Sequence, residues 1–208
     1  MTKQIAIKIC GLMDPANINE IVSINPQYIG FIFYPSSARF VGNLDSEYIK
    51  DIKNVKKTAV FVNSSLDYIE EIVNKYQFEA VQLHGNESPE LCREVKKIGV
   101  EVIKSFGIDD NFDFSSLESY LPVVDYFLFD TKTSKHGGSG KTFNWEVLKR
   151  YPYSKPYFLS GGIGSENFMD AYKFEDERLY ALDLNSRFEL SPGIKNIVLL
   201  KQILEINK

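Results

Sequence analysis

Several stretches of the sequence carry reactive side chains where an element ends. The run Ile5-Ala6-Ile7-Lys8-Ile9-Cys10-Gly11 closes on a thiol. Side chains alternate between the faces of a strand, so Ile5, Ile7 and Ile9 line one side and Ala6, Lys8 and Cys10 the other. The same parity puts Tyr126, Leu128 and Asp130 on one face of a later run, and Ala80, Gln82 and His84 on one face of another. Thiol, carboxyl and imidazole groups exchange protons when a fold brings them together. In Ser160-Gly161-Gly162-Ile163 the glycines form a tight turn, or they let backbone N–H groups close on a phosphate. Plainer readings stand beside these. A strand-end cysteine is often a small buried apolar group, and Asp130 can cap a turn through Thr131.

Bringing such groups together requires ordered elements. Residues 5–9, 28–33, 58–62, 80–83, 100–105, 126–129, 156–159 and 180–183 are short β-branched or aromatic runs and read as strands. Helical patterns separate them. Asp14-Pro15 precedes Ile18-Ile21-Val22, Ser65 precedes Ile69-Ile72-Val73, and Ser88-Pro89 precedes Leu91-Val95, with serine as cap and proline at the first helical position. A last helix is predicted over 197–206. Strict alternation predicts parallel strands joined by right-handed crossovers, and eight such units in 208 residues fit a single-domain (β/α)8 TIM barrel over 1–208. The alternative is an open doubly wound sheet, which does not require eight units; no GxGxxG follows the first strand. In a barrel the chemistry collects at the C-terminal ends of the strands, where Cys10, His84, Asp130 and the glycine turn all fall.

Composition narrows the partner. A hydrophobic fraction of 44% supports a sizeable core, and a net charge of −4 without any Lys/Arg block argues against nucleic acid or a membrane surface. The sequence enters its first strand with no apolar leader, and no stretch nears the roughly 18 apolar residues of a membrane span, so a cytoplasmic protein is expected. Cys10 and Cys92 are isolated, and His84 and His136 lie far apart, a spacing that suits neither a disulfide framework nor a zinc site. The expected ligand is a small molecule.

The strand tails also form a set. "KICG", "GFIFYPSSARFV", "VQLHG", "DT" followed by "GGSGKTFNW", "LSGGI" and "PGIK" occur in that order along essentially the whole chain. Together they resemble the phosphoribosylanthranilate isomerase family of tryptophan biosynthesis. The resemblance implies a cofactor-free, metal-free Amadori rearrangement of the phosphosugar N-(5-phosphoribosyl)anthranilate to 1-(2-carboxyphenylamino)-1-deoxyribulose 5-phosphate. An acid protonates the furanose oxygen as the ring opens to a Schiff base, and a base removes the C2 proton. The family's base and acid match Cys10 and Asp130. Its anthranilate-carboxylate ligand matches Arg39, a guanidinium fork suited to a planar anion. Phosphate binding falls to Gly161, Gly162, Ser186 and Arg187. His84 either supports the site or touches substrate, and Asp183 either pairs with Lys8 or orients ribose hydroxyls. The sequence departs from the family pattern at Ala38 (commonly proline), Arg187 (often glycine) and Asn196 (usually aspartate).

These roles carry electrostatic expectations. A cation raises the thiolate fraction of a neighbouring cysteine, and Lys8 lies one pleat below Cys10. An acid working near pH 7 must be shielded from water, and Phe129 with the aromatic loop around it is the expected shield for Asp130. Two rivals remain: a related aminoaldose isomerase, expected to use paired aspartates, and a phosphosugar-binding barrel without catalysis. The chain is expected to act as a monomer or homodimer.

Overall fold

Eight parallel strands close on one another in sequence order, the first hydrogen-bonded to the eighth. They belong to a computed structural model that describes residues 5–42, 44–132 and 143–205. In chain order the elements are β1 (Ala6–Cys10), α1 (Pro15–Ser23), β2 (Tyr28–Ile32), α2 (Ser46–Asp51), β3 (Lys56–Phe61), α3 (Leu66–Tyr76), β4 (Ala80–Leu83), α4 (Pro89–Lys97) and β5 (Glu101–Ile108). There follow β6 (Tyr126–Thr131), β7 (Tyr157–Leu159), α5 (Phe168–Tyr172), β8 (Leu179–Leu184), β9 (Glu189–Ser191), β10 (Ile194–Lys195) and α6 (Ile197–Glu205). Each predicted strand overlaps one barrel strand. Short 3-10 helices, Phe114–Tyr120 and Trp145–Arg150, replace α-helices after β5 and β6. The sequence Gly137-Gly138-Ser139-Gly140-Lys141-Thr142, His136 and the predicted helix end at Ile206 lie outside the described residues.

The predicted caps form. Asp14 Oδ1 accepts from Asn17 N at 2.8 Å, and Ser65 and Ser88 each accept through Oγ from the backbone three residues on, at 3.4 Å. Such caps contribute about 1 kcal/mol apiece and fix where each helix leaves its βα loop. Asn196 also caps: its side chain accepts from Leu199 N at 3.1 Å at the start of α6, so replacing the family's aspartate keeps the acceptor.

Strand parity divides the core in two. Ile5, Ile7, Ile9, Ile29, Phe31, Phe127 and Phe129 face outward into the apolar layer beneath the helices. Ala6, Tyr28, Ile103, Leu128, Phe158 and Ala181 fill the barrel interior. Below them Tyr126 stacks on Tyr180 at 4.6 Å between ring centres, and the Tyr28 hydroxyl donates to Glu101 at 3.0 Å. Burying a large apolar side chain stabilises the fold by about 1.5–3 kcal/mol. The interior is therefore filled by aromatic rings toward the strand N-termini, and Cys10, His84 and Asp130 stand at the C-terminal mouth. Among the described residues no helix is long and apolar enough to cross a membrane.

Candidate active site

A pocket of about 750 Å³, its open side included, occupies that mouth. Cys10 enters it from β1, His84 from the end of β4, Asp130 from β6, Gly161 and Gly162 from the loop after β7, and Asp183 from β8, with Ser186 and Arg187 just beyond. Strand register brings together residues up to 177 positions apart in sequence, Cys10 and Arg187 being the extremes. Among the predicted site residues, Arg39 stands outside the pocket lining.

Cys10 is 3% exposed and sits beside Gly30 in register. Lys8, one pleat deeper, donates to Asp183 Oδ1 at 2.8 Å, both side chains buried. Burial pulls the Lys8 ammonium down, but attraction to Asp183 and Cys10 outweighs it and holds the group above its ordinary value. The expectation that Lys8 would make Cys10 acidic is therefore corrected. Burial pushes the thiol up, and Asp183 opposes the help that Lys8 gives. A lysine already committed to a carboxylate has little net charge to offer its neighbour.

Space for the sulfur comes from glycine. A methyl group at Gly30 would stand 2.6 Å from Cys10 Sγ and 3.2 Å from its Cα and Cβ. Gly30→Ala is accordingly expected to displace the thiol and lower kcat by tenfold or more, since a shift of about 1 Å at a reacting group can cost on the order of 10²-fold. Steady-state kinetics beside a thermal melt checks this. Unchanged kcat in a folded variant would mean that the position of Sγ does not matter.

Asp130 accepts from Thr131 N through Oδ1 at 2.7 Å, and Oδ2 lies 3.4 Å from His84 Nε2. Gln82 Nε2 is 2.8 Å from His84 Nδ1. With the amide donating, Nδ1 is the acceptor and Nε2 carries the proton that faces the aspartate. His84 thus touches the candidate acid directly. Phe129 does not shield it: strand parity turns that ring into the outer layer against Phe114, Tyr151 and Tyr157, and Asp130 keeps 16% of its side chain exposed to the pocket.

Gly161 and Gly162 have φ of +86° and +69°, a region costly for residues with a Cβ. A methyl at Gly161 would also stand 2.7 Å from Asp130 Oδ1 and 2.5 Å from Thr131 N. Among the described residues the N–H groups of Gly161, Gly162 and Ile163 have no acceptor, which leaves them open to an anion. The next helix, α5, begins only at Phe168. Asn167 fills the gap, accepting from Gly164 N at 2.8 Å and donating to Gly162 O at 3.1 Å. Arg187 reaches the pocket rim but is ion-paired with Glu166.

Arg39 is held by a residue with no role in the sequence reading. Its Nε and Nη2 donate to Glu189, the latter at 2.7 Å, and Lys195 donates to the same carboxylate at 2.7 Å and to Asn185 at 2.8 Å. Glu189 and Lys195 come from β9 and β10, strands of three and two residues that leave no readable periodicity. The "PGIK" motif includes Lys195, without a role for it, and does not reach Glu189. Despite Ala38, the Arg39 loop closes through Ser37, which accepts from Arg39 N at 3.1 Å and whose N–H donates to Tyr34 O at 2.9 Å.

A family model described as N-(5'phosphoribosyl)anthranilate (PRA) isomerase matches residues 7–206. An N-(5'-phosphoribosyl)anthranilate isomerase from Parabacteroides distasonis is 43% identical over 202 residues, 96% of this chain and 91% of the relative. The crystal structure of phosphoribosyl anthranilate isomerase from Thermotoga maritima superposes with a TM-score of 0.81 at 33% identity, covering 97% of this chain and 98% of that one. A second solved structure, phosphoribosyl anthranilate isomerase in complex with reduced 1-(o-carboxyphenylamino)-1-deoxyribulose 5-phosphate, gives 0.78 at 29% identity, with 97% of each chain covered. On sequence and on fold together, the chain belongs to the N-(5'-phosphoribosyl)anthranilate isomerase family.

Proposed function

We propose that this barrel is a cytoplasmic enzyme, acting as a monomer or homodimer, that isomerises N-(5-phosphoribosyl)anthranilate by general acid–base catalysis. The observation that carries this is the meeting of Cys10, Asp130 and a glycine turn with open N–H groups in one mouth pocket. Gly161 and Gly162, with Ser186 and the guanidinium of Arg187, take the phosphate. Arg39 takes the aryl carboxylate, and Asp183 faces the ribose hydroxyls with one oxygen tied to Lys8.

With both ends of the substrate held, the reacting atoms need two proton transfers. Asp130 gives its proton to the furanose oxygen; the C1–O bond breaks and the anthranilate nitrogen forms a protonated Schiff base at C1. Cys10 thiolate then takes the C2 proton, leaving an enolamine that tautomerises to the ketone. Burial disfavours thiolate in the empty site. The cationic Schiff base beside Sγ favours it when it is needed, and a thiolate of high pKa is the stronger base. His84 Nε2–H stabilises the carboxylate that remains once Asp130 has given up its proton.

The test is a fluorescence assay of freshly generated phosphoribosylanthranilate with purified protein. Consumption above the spontaneous rate is expected. Tight binding of the reduced product analogue without turnover would identify a phosphosugar-binding barrel instead.

A further inference from the structure

Around Arg39 the cations outnumber the anions, and the cluster is largely buried. Glu189 Oε1 accepts from Arg39 Nε at 2.9 Å, Lys195 Nζ at 2.7 Å and Gly193 N at 3.2 Å, while Oε2 accepts from Arg39 Nη2 at 2.7 Å. Side-chain exposure is 15% for Arg39, 5% for Glu189 and 0% for Lys195. Two positive charges therefore share one carboxylate. Lys8 with Asp183, the buried pair beside Cys10, cancels itself. A buried excess charge is costly unless an anion joins it. Lys195 registers that cost: burial pulls it down to about 8, against the pull of Glu189.

The cluster also faces the chemistry. Gly11, which follows Cys10, has φ +81°, and a methyl there would stand 2.7 Å from Arg39 Cδ and 2.8 Å from Asn185 Oδ1. Asn185 lines the mouth pocket and accepts from Lys195. Glu189 occupies the Nε–Nη2 edge of the guanidinium, and among the described residues Nη1 makes no hydrogen bond.

We propose that Glu189 and Lys195 are positioning residues that set the site's selectivity for a carboxylated ligand. Glu189 aims Arg39, and Lys195 cancels the charge of Glu189, so that the guanidinium keeps a full positive charge for the ligand. Lys195 acts through Glu189 and Arg39 rather than by touching the carboxylate. The inference rests on the isomerase reading above, in which Arg39 meets the anthranilate carboxylate.

The experiment compares equilibrium binding of two probes: reduced 1-(o-carboxyphenylamino)-1-deoxyribulose 5-phosphate and the same compound without its carboxyl group. The unaltered protein should prefer the carboxylated probe by about tenfold or more. In Lys195→Met, which keeps length and removes charge, the preference should collapse toward unity, with affinity for the decarboxylated probe unchanged within about threefold. Glu189→Gln, which leaves one acceptor for Arg39 where the carboxylate offers two, should also narrow the preference, because the guanidinium is then no longer aimed. It stands as an independent arm if the lysine variant fails to fold. Equal weakening of both probes in Lys195→Met, or an unchanged preference in Glu189→Gln, would overturn the proposal. Failure of the unaltered protein to bind either probe would overturn the isomerase reading itself.

Discussion

Cys10→Ser is expected to lower kcat by about 10²- to 10⁴-fold, the usual scale of a lost general base, while KM stays within a few fold. Serine keeps the shape of a side chain packed against Gly30 and only 3% exposed, so the barrel should fold unchanged. What it lacks is an ionisable group of usable acidity. In the same buried surroundings a hydroxyl is far less acidic than the thiol it replaces. The groups assigned to phosphate and carboxylate come from other strand ends, which is why binding should survive. Measuring kcat and KM beside affinity for the reduced product analogue separates the two effects.

A loss of similar size, about 10²- to 10⁴-fold in kcat, is expected for Asp130→Asn, by a different route. The amide oxygen can still accept from Thr131 N, as Oδ1 does at 2.7 Å. That places an NH₂ group where Oδ2 now faces His84 Nε2 at 3.4 Å. Donor then meets donor, so the imidazole must move its proton to Nδ1, and Gln82 must turn its oxygen toward it. The variant loses its transferable proton and the histidine contact that supports the charged form, with no change in shape. Ring opening should become limiting, visible as a kcat defect with the analogue still bound. Near wild-type turnover would return Asp130 to the role of a turn cap.

Much of this site was legible in the sequence because barrel chemistry sits where strands end. The parity of Ile5 to Cys10 put Lys8 and Cys10 on the inner face, and register does pair Lys8 with Asp183. His84 and Asp130 follow from the same rule. What parity could not convey is which charges cancel. Lys8 next to Cys10 reads as an activating cation until its ammonium is seen bound to Asp183 at 2.8 Å. The reading of Phe129 as a shield fails by parity itself, because the alternation that turns Asp130 inward turns the neighbouring ring outward. Glu189 and Lys195 stayed hidden for another reason. They lie on a hairpin of five strand residues whose partners, Arg39 and Asn185, are set by the closure of the barrel and not by any local pattern.

The most direct test of a thiol base opposite a carboxyl acid is kcat/KM as a function of pH, for the unaltered enzyme and Cys10→Ser side by side. This quantity reports ionisation in the free enzyme. Because burial raises the thiol there, thiolate is the minor form at neutral pH, and its population grows as pH rises toward the elevated pKa. In the unaltered enzyme kcat/KM should rise with pH as the thiolate forms and fall as Asp130 loses the proton it must give up, the profile being the product of the two ionisations. Cys10→Ser should be slow and should lack that rise. A serine variant with near wild-type rates and the same pH profile would contradict the account and leave Cys10 as packing.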